Sequence, residues 1–205
     1  MMKLDENGVF QGGGRIMRNV LLSASRGVAL LSSVAFAVLA GGVYAAGVAT
    51  WTDASGDHLW NNAANWEPKA VANWQNEIHI PSGTWTIDIG TGERYYGPLI
   101  IEDGSGSVTF TGSGTLQRSS YADLSIGAGR ELIVDGCTFP VGSSLKWDGA
   151  TLRVRSGEVR LDQTSTLGGT FRVCVEGGVF GGASTDLSIT NNAEVVVSGG
   201  TYADA

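Results

Sequence analysis

The side chains best suited to chemistry crowd into one stretch of this chain. Between residues 51 and 85 lie five of the six tryptophans, Trp51, Trp60, Trp66, Trp74 and Trp85, together with both histidines, His58 and His79. Flat rings stack on the faces of sugars, so Trp60, Trp66, Trp74 and Trp85 can form a carbohydrate-binding surface. They can equally cover an open sheet edge above an apolar core, a task suited to large amphipathic rings. Asp53, Ser55 and Asp57 offer oxygen donors of the kind Ca²⁺ takes, with Asp53 and Asp57 as the metal candidates. That spacing lacks the terminal bidentate Glu of a helix-loop-helix calcium site.

Catalytic groupings are poorly supplied. The two histidines stand far from any acidic cluster in the rest of the chain and read as loop or strand-surface residues. A β-helical hydrolase or lyase needs closely placed carboxylates. Asp123 and Asp186 share a repeat position but fall three turns apart, roughly 14 Å, and read as turn residues. The glycines around Gly104–Gly106 and Gly112–Gly114 are followed by no Lys-Ser/Thr and open no helix, so a phosphate cradle is not indicated. The expectation is a non-enzymatic protein without a cofactor.

The elements that must hold these residues are legible as a repeat. Val134, Val154, Val175 and Val197 are each preceded two positions earlier by an aliphatic residue (Leu132, Leu152, Val173, Val195). An apolar one follows each five positions later (Phe139, Val159, Phe180, Tyr202). The valines are 20, 21 and 22 residues apart, and a looser copy sits at Phe110–Leu116. Period-two placement puts the valine and its aliphatic neighbour on one face of a strand. The residue five positions on has the wrong parity for a straight strand, so the chain must bend at the intervening small residues. Such a unit cannot bury its apolar side alone and must stack on its copies. The predicted fold is therefore all-β, a right-handed parallel β-solenoid of about five coils with Val134, Val154, Val175 and Val197 as the core ladder. The following residues, Asp135, Arg155, Glu176 and Ser198, are expected to place opposite charges side by side on successive coils. In the same register Cys137 and Cys174 lie beyond disulfide reach, which predicts two free thiols.

The start of the chain reads as an address. Arg15, Arg18 and Arg26 precede an apolar run over residues 28–40 and then small residues, the layout of a secretory signal cleaved after Ala45 or Ala46. An uncleaved anchor over residues 28–49 is the competing reading. If Met17 is the true start, residues 1–16 are an extension. The resulting division is 1–46 signal, 47–98 Trp-rich cap with the first strands, and 99–205 solenoid repeats. Past the signal the chain keeps 9 basic and 18 acidic residues, a net charge of −9. That balance repels phosphate backbones and argues against nucleic acid, with membrane contact confined to the signal segment. A composition of 42% apolar and 16% charged residues excludes disorder. The 31 glycines have no three-residue period and only four prolines accompany them, which excludes collagen.

Trp51-Thr52-Asp53 through Gly56, then Trp60, Asn65-Trp66 and Pro68, followed by the β-rich run at Glu77–Ile80, resembles the start of the autotransporter-associated β-strand repeat proteins. The resemblance covers roughly residues 50 to 90 closely and the remainder in architecture alone. It implies a secreted, cell-surface or outer-membrane-associated solenoid, adhesin-like and without a known reaction, that meets surface glycans or other surface proteins. No C-terminal membrane barrel follows in this sequence, a departure from the full family pattern. After Tyr202 only Ala203-Asp204-Ala205 remain, so the last coil is expected to continue in a longer passenger or to pair edge to edge with another molecule. The alternative is a carbohydrate-binding or polysaccharide-active β-helix protein that uses its tryptophan face.

Overall fold

The computed structural model describes residues 47–119, 123–142, 144–162, 165–182, 187–190 and 192–203. The expected signal segment, residues 1–46, and Asp186 lie outside the described residues.

Strand after strand stacks in parallel along three faces. The first face runs through β4 (Trp85–Asp88), β7 (Ser107–Thr111), the first half of β10 (Glu131–Val141), the first half of β12 (Thr151–Leu161), β14 (Arg172–Val175) and β17 (Glu194–Val197). The second carries β5 (Glu93–Tyr96), β8 (Thr115–Arg118), the second halves of β10 and β12, then β15 (Val179–Gly181) and β18 (Thr201–Ala203). The third is divided. β1 (Val48–Trp51), β3 (Glu77–Ile80), β6 (Leu99–Ile101) and β9 (Leu124–Ile126) form one block. β11 (Ser144–Lys146), β13 (Ser165–Gly168) and β16 (Leu187–Ile189) form the other. Each circuit of the three faces is one rung, and six rungs joined by about five turns make a parallel β-solenoid among the described residues. Residues 77–96 form the first rung.

The register of the first face explains why these residues form these strands. Trp85, Val108, Leu132, Leu152, Val173 and Val195 align in one inward column, and Ile87, Phe110, Val134, Val154, Val175 and Val197 in a second. β-branched and aromatic side chains suit such half-buried pleated surfaces, and stacking like on like removes them from water together. Val134, Val154 and Val175 are fully buried, whereas Val197, on the outermost rung, is 46% exposed.

The bend expected after each valine is visible in β10 and β12. Their register shifts twice, so that Arg155 is an extra residue and Gly136-Cys137 faces the single Gly157. Gly136 and Gly157 have φ of +105° and +78°, a region that L side chains avoid. The shift corrects the expected charge ladder. Asp135 lies opposite Ser156, whose hydroxyl donates to it over 2.6 Å, and not opposite Arg155. Charge pairs form instead around Arg153, two positions before Arg155, which pairs with Glu131 (2.7 Å) and with Glu176, and at the in-register pair Arg172 and Glu194, three positions before their valines, at 3.3 Å. Arg155 reaches Glu176 only at 4.0 Å.

Hydrogen bonds also skip a rung among the described residues. The Tyr96 hydroxyl on rung one donates to the Pro140 carbonyl on rung three over 2.8 Å. The buried Arg130 guanidinium, at the corner between β9 and β10 of rung three, donates to the Pro81 carbonyl of rung one over 3.1 Å. Where the third face breaks between β9 and β11, the Trp147 indole N–H donates to the Leu124 carbonyl over 2.8 Å and stands in for a ladder bond.

Candidate functional site

The N-terminal segment supplies the groups singled out by the sequence and sends them to different places. β2 (Trp66–Glu67) pairs antiparallel with the outer edge of β1, while Leu59 bridges to Asp88 of β4. Residues 48–67 therefore lie against the first rung on two of its faces. Trp51, Trp60 and Trp66 are buried there. Trp66 meets both other rings edge-on at centroid distances of 5.0 and 4.8 Å, and its indole donates to the Trp60 carbonyl over 2.7 Å. The aromatic line continues from Trp60 through Phe110 and Phe139 to Tyr96, at 6.2, 5.5 and 5.7 Å.

That arrangement corrects the idea of four tryptophans on one sugar-binding face. Trp60 and Trp66 are each 1% exposed and offer no ring face to a ligand. Trp85 is half-buried at the head of an inward column, with its indole donating to the Pro81 carbonyl over 2.9 Å. Trp74 alone of the four stands out from the surface, 57% exposed.

The oxygen donors of Asp53 and Asp57 are engaged within their own loop. Asp53 accepts from the His58 amide over 3.1 Å and contacts His58 Nδ1 at 2.5 Å. Asp57 accepts from Ser55 Oγ, the Leu59 amide, and the side-chain amides of Asn62 and Asn65, at 2.6 to 3.1 Å. Those bonds, the Leu59 amide foremost, hold the Asp57 carboxyl well below the usual carboxylate range. The arrangement closes a loop around the buried Asn65, and among the described residues no group of three or more His, Cys, Asp or Glu is placed to hold a metal. His79 lies on the outside of β3 between Glu77 (2.8 Å) and Glu102 (3.1 Å), and the bond to Glu77 raises its pKa above 6.5. Cys137 points into the core, with its thiol near the Phe110 carbonyl, and burial pushes it up to about 12. Cys174 is half-buried on the outer side of β14, and both thiols are free.

One grouping that the sequence did not single out does come together. An open groove of about 610 Å³ is lined by Trp74, Glu93, Tyr95, Pro98, Gln117, Arg118 and Ser119. Alternation along β5 turns Glu93 and Tyr95 outward, and Gln117 of β8 lies directly across from Tyr95. Trp74 reaches the groove from a loop closed by Asn73 and Asn76. The Asn73 amide donates to Asn76 Oδ1, the Gln75 amide to Asn73 Oδ1, and Asn76 Nδ2 to the Gly47 carbonyl. The loop presses on Gly97, where any Cβ would stand 2.8 Å from the Trp74 carbonyl and closer still to that of Asn76. The period-two pattern of Glu93-Arg94-Tyr95-Tyr96 carried half of this signal; the position of the Trp74 loop carried no sequence mark.

A second apolar concavity, about 410 Å³, lies on the outermost rung among Leu187, Ile189, Val195, Val197 and Tyr202. Compared with known proteins, the chain matches no family model, no curated protein and no solved structure.

Proposed function

We propose that this chain is an exported, non-catalytic β-solenoid module of the cell surface or secreted fraction, of the passenger type found in autotransporter-associated β-strand repeat proteins. In this reading residues 1–46 direct export, the tryptophan-rich segment covers the first rung, and the outermost rung docks edge to edge with further β-structure. The supporting observation is that outermost rung. Ile189 is 50% and Val197 46% exposed beside Leu187, Val195 and Tyr202. Among the described residues no strand pairs with the far edges of β16, β17 and β18. Apolar side chains in stacking register along a sheet edge form a template for another rung.

The reading is tested by measuring the intact mass of the native protein in separated envelope, culture and cytoplasmic fractions of its source cells. An exported species whose N-terminus lies at residue 46 or 47 is expected. A protein that stays cytoplasmic with Met1 or Met17 still in place overturns it.

A further inference from the structure

We propose that the groove between Trp74 and Tyr95 binds a neutral, gluco-configured, β-1,4-linked pyranose chain, with the Trp74 indole as its stacking face.

A 57% exposed tryptophan is unusual, because burying so large a ring is worth several kcal/mol. Here the ring is held out by a fixed loop. The Asn73–Asn76 bonds and the close seat on Gly97 keep the loop in place, so little ordering cost falls on binding. Tyr95, 45% exposed, adds a second ring, and its hydroxyl donates to Glu93 Oε2 over 2.6 Å, which fixes both side chains. Beside the two rings the lining is polar, with the Glu93 carboxylate and the outward Gln117 next to Tyr95, and Arg118 and Ser119 completing it. Apolar platforms with a few placed polar groups match a ligand that is itself apolar on its faces and hydroxylated on its rim. Glu93 and Arg118 carry opposite charges, so the lining selects neither an anion nor a cation. An all-equatorial pyranose presents only C–H bonds on its two faces, and a β-1,4 linkage keeps successive rings extended, as an open groove requires.

The test is calorimetric titration of the full chain with cellohexaose, with maltohexaose as the α-linked control. Saturable binding of cellohexaose is expected, weakened at least tenfold in Trp74→Ala and several-fold in Gln117→Ala, with circular dichroism unchanged in both. Trp74→Tyr, which keeps a ring, is expected to recover part of the affinity, and this separates lost stacking from a disturbed fold. No saturable binding up to about 10 mM overturns the proposal. So does binding indifferent to Trp74→Ala, or equal binding of maltohexaose.

Discussion

Asp57 lies on the surface yet accepts four hydrogen bonds, and the consequence is a carboxylate that resists protonation in the folded chain. Its folded pKa is below the unfolded one, so its contribution to stability is present above about pH 4 and is lost as pH falls toward the folded value. Chemical denaturation between pH 2 and pH 6 is expected to show stability rising with pH, with a shallower slope in Asp57→Asn. His79 works in the opposite sense. Its folded pKa is raised, so the contribution is complete below 6.5 and disappears as pH climbs through the folded value. Nuclear magnetic resonance titration of its ring protons should give a pKa above 6.5 that drops back in Glu77→Gln. The two thiols also separate. Cys174 should react with a small maleimide in the native state and Cys137 only after denaturant, since the latter is buried with its ionisation suppressed. At this scale the sequence named Asp57 but not its role, because oxygen-donor spacing is the same for a metal loop as for one closed by Asn62 and Asn65. Only the positions of those two amides decide between them.

Strands and bends were the most legible level. The spacing of Val134, Val154, Val175 and Val197 became one inward column, and the parity change five residues later became the bends at Gly136 and Gly157. What spacing did not reveal was the extra residue at Arg155, since a bulge alters register without altering which residues are apolar. It also gave no hint of Trp147, whose indole bridges the break in the third face. Gly157→Ala tests the bend. The substitution requires a left-handed conformation costing about 1–2 kcal/mol and drives a Cβ into the Cys137 carbonyl, so the measured loss in urea unfolding should exceed that figure. Phe139→Ala removes a ring stacked between Phe110 and Tyr96 and should cost about 3–5 kcal/mol.

For the molecule as a whole, the all-β solenoid and its turn length could be read from the repeat, because stacking is the only way so short a unit can bury its apolar side. The groove at Trp74 could not, since it joins a loop before the first rung to strands of rungs one and two. If the outermost rung is a docking edge, the chain should self-associate at micromolar concentrations in sedimentation velocity. Ile189→Lys combined with Val197→Lys should return it to a monomer by placing charges on that edge. A wild-type chain that stays monomeric at about 100 μM removes the edge-to-edge contact between copies.

The bonds from Tyr96 to Pro140 and from Arg130 to Pro81 give the stack a direction. A column whose units touch only their neighbours behaves as a linear array and melts from either end with similar ease. Ties that bypass rung two fuse the first three rungs into a single cooperative block, while rungs four to six remain a sequence of separable steps. Amide exchange should therefore be slowest and most uniform from residue 77 to 141 and quicken rung by rung toward β18, so that the molecule unzips from its apolar edge inward.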